Sequence, residues 1–309
     1  MAANNLRIIY ENIIDLSTTT IVASSTASNS TATSNLKSDT KSLIWRSASV
    51  TTSPQNAKYT VKANLLVTCT TSNIGGIILP FCNLSSSATI RVRGYTGALP
   101  VMGGTVDSPT VTATGVLKFD TGVVLASPAQ VFGLWSWGTV PLGVNSYSYG
   151  GGAYGRVWIP LNSQKTCTSL IIEIIDTQNP SPYIEVSRLV IGSYWSPKYN
   201  TSYGLSSSTK DLSTHERTES GDLITNRGIR YRTMKFDLNY LTSPDRLEFS
   251  RILRGNGLPK PILISLFPDN ATDYDKEQAH QIYGKLSQLS DVVNPILDMY
   301  STSIDIEEI

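Results

Sequence analysis

The chain has 309 residues and a formal net charge of +1, with 25 Lys and Arg against 24 Asp and Glu. A chain of this length can bury a substantial core, and its near-neutral charge provides no field that recruits nucleic acid or an anionic membrane. No unbroken apolar run is long enough to span a membrane, and MAANNLRIIYENIIDLS at the N-terminus lacks the basic and apolar regions of a secretory signal. We therefore expect neither a membrane span nor a nucleic-acid partner.

Charge is divided unevenly along the chain. Residues 1–200 contain 13 Lys and Arg and 8 Asp and Glu, whereas residues 201–309 contain 12 and 16. The polar, turn-rich segment KYNTSYGLSSSTKD lies at this change and is typical of a linker. We predict three parts, which are an N-terminal arm at 1–17, a β-domain at 18–200 with an insertion at 98–160, and a C-terminal module at 201–309.

Short strands dominate the predicted structure of the first 200 residues. Residues 59–70 and 73–84 are β-branched or apolar runs, and apolar residues alternate with Arg91 and Arg93 in TIRVRGY. LKFDTGVVLA, RVWIPL and SLIIEIID supply further strands. Many short strands separated by Gly, Pro and Ser indicate a β-sandwich or jelly roll.

The chain contains, in this order, Ser24-Ser25, Asp39, Trp45, IRVRGYTG, and the strand pair LIIEIID and YIEVSRLVIG. Their order resembles that of the discoidin-like (coagulation factor type C) family. This resemblance implies a discoidin-like jelly-roll β-sandwich and a binding role rather than catalysis. The long insertion and the absence of a flanking cysteine pair depart from the family pattern.

The last third predicts a smaller α+β module. Residues 231–238 form an imperfectly alternating strand, and Thr242 or Ser243 can cap a helix with Pro244 in its first turn. Apolar residues follow at helical spacing until Gly255 or Gly257 stops the helix. PILISLFP is then a short buried strand.

Residues 274–289 suit a second helix, although Gly284 costs it about 1 kcal/mol relative to alanine. The preceding strand–helix–strand pattern, with R-x-R, F-x-L and L-T-x-x-D before PILISLFP, resembles elements of tail and baseplate proteins of tailed bacteriophages. The resemblance implies a structural protein of the virion tail, at the tail tip, the baseplate or an adjacent adaptor, synthesised in the host cytoplasm. Its partners would be other tail proteins and further copies of itself in a homo-oligomeric ring.

The acidic C-terminus alternates apolar and polar residues and is extended. Two interpretations are open for its residues, which are Ser303, Ile304, Asp305, Ile306 and Glu307. An exposed terminus of this kind can add a strand to a neighbouring subunit, or it can pair within its own domain.

No pattern in the sequence indicates catalysis, a metal or a cofactor. Cys69, Cys82 and Cys167 lie in strand-like runs, where we expect reduced, buried thiols. His215 and His280 have polar neighbours without metal-ligand spacing, and no G-x-S-x-G, H-E-x-x-H or phosphate loop occurs. Among the few acids of the first 200 residues, the sequence predicts outward strand or turn positions for Glu173, Asp176 and Glu185. We expect no catalytic residue and a protein that is not an enzyme.

Aromatic residues around a glycine-rich segment are the remaining candidates for a contact site. Trp135 and Trp137 face the same way if GLWSWG is a strand, and Tyr147, Tyr149 and Tyr154 lie in or beside SYSYGGGAYG. Such rings can belong to a core, pack at a protein interface, or stack on sugars.

Two functions compete on this basis. The first is a structural virion protein that acts through contacts between subunits and needs no cofactor. The second is a carbohydrate- or receptor-binding module that contacts a cell-surface glycan through the aromatic cluster.

Overall fold

The computed structural model describes residues 5–127, 154–160, 165–268, 274–296 and 298–309. Strands predominate there, so the predicted mainly β fold with a small helical part is confirmed. The strands in chain order are β1 (Arg7–Ile9), β2 (Thr20–Ala23), β3 (Trp45–Arg46), β4 (Tyr59–Ile74), β5 (Gly76–Pro80), β6 (Thr89–Thr96), β7 (Val101–Gly104), β8 (Pro109–Thr112), β9 (Val116–Leu125), β10 (Tyr154–Trp158), β11 (Lys165–Asn179), β12 (Glu185–Val186), β13 (Val190–Gly192), β14 (Ser206–Asp211), β15 (Thr214–Arg217), β16 (Leu223–Asn226), β17 (Arg230–Leu241), β18 (Ile262–Ser265), β19 (Gln281–Leu286), β20 (Val293–Ile296) and β21 (Met299–Glu308). The α-helices are α1 (Ser243–Asn256) and α2 (Tyr274–Ala279).

The chain divides into two compact units. The larger unit contains Ile9–Tyr194 and Phe267–Gln281, and the smaller contains the N-terminal segment up to Ile8, Trp195–Leu266 and Ile282–Ile309. This division differs from the predicted parts in several segments, and residues 195–200 and those up to Ile8 belong to the smaller unit. Residues 9–17 join the larger unit because Ile13 and Ile14 are buried in its core. Residues 267–281 also join it, through buried polar contacts that sequence periodicity does not reveal.

The larger unit is a β-sandwich. Its first sheet has the order β2-β4-β11-β6-β9, and its second has the order β10-β5-β13. Because successive strand residues point to opposite faces, alternate residues such as Val61 and Leu65 of β4 meet Ile77 and Leu79 of β5 in one core. Trp45 is fully buried in the same core.

The described part of the 98–160 insertion belongs to this sandwich. Strand β9 is the edge of the first sheet and β10 the edge of the second. The β7–β8 hairpin covers the outer face of the first sheet, where Met102 and Val111 pack on Leu66, Tyr95 and Ile171. The insertion is therefore structural over these residues.

Several residues that carry the discoidin resemblance hold strands and loops together. Ser24 exchanges two hydrogen bonds with the backbone of Asn64, at 2.8 and 3.0 Å. Asp39 forms an ion pair with Arg188 at 3.1 Å, and this arginine side chain is only 2% exposed. Their positions are explained by packing and hydrogen bonding within the sandwich. Trp195 lies in the smaller unit, against Phe249.

The smaller unit is a sheet of seven strands with one helix packed on it. Its order is β1-β18-β19-β21-β17-β14, and β20 pairs with β21. Helix α1 confirms the predicted cap, because Thr242 and Asp245 form a capping box and Gly257, at φ 56°, ends the helix. Phe249 and Ile252 are the apolar residues that it buries.

The predicted second helix over residues 274–289 is wrong beyond its first turns. Helix α2 ends at Ala279, and the chain continues as strand β19. Short apolar runs are compatible with both a helix and a strand. Here pairing with β21 favours the strand.

Candidate functional site

A long antiparallel β-ribbon, residues 206–230, is the most unusual feature of the described chain. Strands β14 and β17 pair from Ser206 with Lys235 to Asp211 with Arg230. Beyond this point β15 and β16 continue the pairing, from Thr214 with Asn226 to Arg217 with Leu223. The ribbon therefore begins at the edge of the seven-stranded sheet and ends in a turn.

The turn at the end of the ribbon is held by several hydrogen bonds. The backbone N–H of Thr218 donates to Asp222 O and that of Gly221 donates to Thr218 O, both at 2.9 Å. Gly221 adopts φ 89°, a conformation that favours glycine. Arg217 Nη1 donates to the Gly221 carbonyl at 2.9 Å. A defined hairpin, rather than an irregular loop, follows from these bonds.

The joint of the ribbon, residues 211–213 and 228–230, connects the β14–β17 pairing to the β15–β16 pairing and is also held by polar contacts. Asp211 accepts from the backbone N–H of Ser213 at 2.8 Å and pairs with Arg230 Nε at 2.7 Å. The Ser213 hydroxyl accepts from the Gly228 N–H at 3.0 Å. A Cβ at Gly228 would lie 2.2 Å from the Leu212 carbonyl carbon, so the close approach of the strands requires glycine here.

The ribbon is not covered by the rest of the chain. None of residues 206–230 is buried, and all but Ser213 and Thr218 are exposed. Four large apolar side chains are each more than half exposed, namely Leu212, Leu223, Ile224 and Ile229. Lys210 still pairs with Glu307 of β21, and beyond this ion pair the ribbon continues for about 20 Å at the usual rise of a strand.

The composition of the ribbon indicates which class of partner it can bind. It contains no Trp, Tyr or Phe on which a sugar ring could stack, and its four basic residues are matched by four acidic ones. It therefore lacks the net positive charge that holds a polyanion. Backbone edges, half-exposed aliphatic side chains and paired charges are suited to another protein surface.

The acidity of Asp211 reports whether the joint forms in the free protein. Hydrogen bonds from Ser213, with a further contribution from Arg230, lower the pKa of Asp211 to about 2. We expect Ser213→Ala to raise this pKa towards its ordinary value, because the hydroxyl donor is lost. Carboxyl-carbon NMR titration measures it, with Ser220→Ala in the turn as the matched control that leaves Asp211 unchanged. An ordinary pKa in the unsubstituted protein would contradict a formed joint.

The predicted aromatic contact site is only partly visible. Trp135, Trp137, Tyr147 and Tyr149 lie outside the described residues. Tyr154 is fully buried in β10, with its ring centroid 5.6 Å from that of Phe81. Of the three uses predicted for these rings, Tyr154 therefore has the one in a core, because pairing with Pro80 makes it part of the second sheet.

The predicted strand-adding terminus pairs within its own unit. Ser303, Ile304, Asp305, Ile306 and Glu307 lie in β21, which has β17 on one side and β19 on the other. Within this strand, the side chains of Ile304 and Ile306 are buried. Of the two interpretations of the terminus, pairing within its own domain is therefore the one observed. The interpretation that these residues add a strand to a neighbouring subunit is wrong.

The acidic residues weighed for catalysis all have structural partners. Glu173 pairs with Arg93 at 2.9 Å, and Glu185 accepts from Arg46 Nε at 2.7 Å. Asp176 is fully buried and accepts from the Ser85 N–H at 2.7 Å, so its predicted outward position is wrong. Among the described residues, no three His, Cys, Asp or Glu side chains are grouped to hold a metal ion. In the same part of the chain, no helix is long and apolar enough to cross a membrane.

Sequence reasoning missed the ribbon because its residues give a weak local signal. The stretch SSSTKD has the composition of a linker, yet it forms β14. Alternating Thr, Ile and charged residues on both sides of T-E-S-G-D were the available indication of a hairpin.

No protein-family model and no curated protein matches the sequence. Among solved structures, the chain is similar to a GH29 fucosidase of Ruminococcus gnavus in complex with fucose, at 10% identity and a TM-score of 0.36, over 61% of this chain. The match covers 27% of the fucosidase, so it spans about a quarter of that protein's length. The chain is also similar to chitosan-binding module 1 of a chitosanase/glucanase from Paenibacillus sp. IK-5, at 13% identity and a TM-score of 0.32, over 59% of this chain and 99% of the module.

Similarities of this size carry no argument about ligands. The class of this protein, a mainly β chain built on a β-sandwich, rests on its own strands and core. The discoidin resemblance stays a prediction at the level of the family.

Proposed function

We propose that this chain is a structural assembly protein that is not an enzyme, and that its ribbon contacts a neighbouring subunit. The observation that carries the proposal is that none of residues 206–230 is buried, and nearly all are exposed, despite their regular pairing. A two-stranded ribbon without a hydrophobic face against a core is marginally stable in water. A partner that covers this ribbon would supply the burial that its own chain does not.

Burial of the exposed aliphatic side chains of the ribbon by a partner would favour association. Full burial of an aliphatic side chain contributes about 1.5–3 kcal/mol, and four such side chains on the ribbon are half exposed or more. Ordering of the ribbon and loss of rotational freedom on association oppose this gain. Open backbone edges add hydrogen bonds in register with a partner strand.

We place this assembly role in the tail of a bacteriophage virion, at the tail tip, the baseplate or an adjacent adaptor. The setting rests on the resemblance of the strand–helix–strand segment to tail and baseplate proteins. The partners would be further copies of this chain in a ring and other tail proteins. The balanced charge of the ribbon favours a protein partner with both signs of charge.

Shortening the ribbon tests the proposal. Asp211 and Arg230 are cross-strand partners, so an Asn-Gly turn can join them directly and replace residues 212–229. We expect the full-length chain to form an oligomer whose mass rises with concentration, and the shortened chain to remain a monomer with an unchanged melting temperature. Light scattering across a concentration series measures the mass, and circular dichroism measures the melting temperature.

Two matched surface variants distinguish association through the ribbon from non-specific association of exposed apolar side chains. Leu223→Ser with Ile224→Ser should weaken the oligomer, whereas Leu289→Ser with Val293→Ser, which changes two similarly exposed residues of the same unit, should not. Equal masses for the full-length and shortened chains would overturn the proposal. A monomer that binds an immobilised glycan would instead favour the carbohydrate- or receptor-binding alternative.

A further inference from the structure

Two of the three cysteines are neighbours in the core of the sandwich. Cys69 lies in β4 and Cys167 in β11, which are adjacent antiparallel strands. Their register shifts at this point, from Ser72 opposite Cys167 to Thr68 opposite Ser169. The shift leaves Cys69 in the bulged part of β4, with its Sγ 3.9 Å from the Cys167 carbonyl oxygen.

The two thiols also interact with each other. A hydrogen bond with the Cys167 thiol holds the pKa of Cys69 below its usual value, whereas the same bond together with burial raises the pKa of Cys167. Cys69 is 6% exposed and Cys167 is fully buried. Cys69 is thus the thiol that ionises first and that a small reagent reaches first.

We propose that Cys69 and Cys167 are a modification site that closes to a disulfide when the folded protein meets a small disulfide oxidant such as glutathione disulfide. The Cys69 thiolate attacks one sulfur of the oxidant, forms a mixed disulfide and releases one glutathione thiolate, which takes a proton. Cys167 then loses its proton, attacks the Cys69 sulfur and releases the second glutathione. Two protein thiols are oxidised and one glutathione disulfide is reduced.

The crosslink would join the two strands at the centre of the first sheet. The cysteines are 98 positions apart in the chain, so the disulfide closes a long loop and restricts the unfolded state strongly. Thiols stay reduced in a reducing cytosol and are oxidised outside it. The sandwich would therefore fold reduced and become more stable in an oxidising environment, whether or not the ribbon assembles with a neighbouring subunit.

Cys82 provides an internal reference. It is buried elsewhere in the same core, and burial raises its pKa to about 11. Hydrogen bonds from the backbone of Leu84 and Gly155 to this thiol partly offset the rise. We expect it to remain a thiol under conditions that oxidise the pair.

Peptide mapping of the oxidised full-length protein tests the inference. The protein is incubated with excess glutathione disulfide, unfolded, alkylated and digested without reductant. We expect a peptide linked through Cys69 and Cys167, an alkylated Cys82, and a higher melting temperature that dithiothreitol reverses. Cys82→Ser should keep the link, and Cys167→Ala should lose it.

Three alkylated cysteines after this treatment, or a link that includes Cys82 or a second chain, would overturn the inference. Incubation with glutathione disulfide is repeated in sub-denaturing urea, which tests whether the oxidant reaches the core too slowly. If Cys69 and Cys167 stay reduced in urea too, or if the reaction stops at the mixed disulfide on Cys69, the inference is also overturned.

Discussion

Replacement of Glu277 by glutamine is expected to lower the free energy of unfolding by about 3–5 kcal/mol, because it leaves a buried guanidinium without its counter-ion. Glu277 and Arg156 have side chains that are 1% and 9% exposed. Arg156 Nε and Nη2 donate to the two carboxylate oxygens at 2.9 and 2.6 Å. Arg156 Nη1 also donates to the Leu125 carbonyl at 2.9 Å.

This ion pair attaches residues 267–281 to the sandwich. The adjacent Gln278 supports it by donating to the Tyr154 carbonyl at 3.2 Å. Loss of the ion pair should therefore reduce hydrogen-exchange protection in α2 and β10 before the rest of the larger unit. Chemical unfolding followed by circular dichroism gives the free energy, and hydrogen exchange locates the change.

Two further variants distinguish the buried charge from a general loss of contacts. The double variant Arg156→Met with Glu277→Met should recover most of the loss, since it removes both charges and keeps apolar volume. Glu248→Gln breaks an exposed pair with Arg251 and should cost less than about 1 kcal/mol. Equal costs for Glu277→Gln and Glu248→Gln would contradict the buried pairing.

Gly284→Ala is expected to destabilise the protein by about 3 kcal/mol, which is opposite in sign to what a helix would give. Gly284 lies in β19, where a Cβ would come within 2.0 Å of the Glu307 carbonyl oxygen and 2.7 Å of its carbon. Both are backbone atoms of β21, so the alanine can be accommodated only if the strands separate. In a helix the same change would stabilise by about 1 kcal/mol.

Gly255→Ala is the matched control for this substitution. Gly255 lies within α1, and a Cβ there meets no atom within 4 Å. We expect it to stabilise the protein by about 0.5–1 kcal/mol. Chemical unfolding measures both variants. A stabilising Gly284→Ala would show that residues 281–286 are helical rather than paired with β21.

Local signals predicted the parts of the fold that depend on few residues. The cap at Thr242, the stop at Gly257 and the alternation in TIRVRGY are each decided by the chemistry of a short segment, and each was confirmed. The buried thiols were also predictable, because each cysteine lies in an apolar or Thr-rich run. The candidate site was not predictable in this way. A ribbon of Ser, Thr and charged residues has the composition of a loop. Its alternation is a weak indication of a hairpin, and the register of β14 with β17 establishes the pairing.

The sequence by itself determined a mainly β chain with a sandwich core, a capped helix after it and no indication of metal or catalytic chemistry. The tertiary structure decided the rest. It placed Tyr154 inside a sheet, made the C-terminal residues an internal strand, and brought Glu277 to Arg156 across 121 positions of the chain. Periodicity records which face of an element is apolar, whereas strand neighbours and buried charge pairs depend on which distant segments meet.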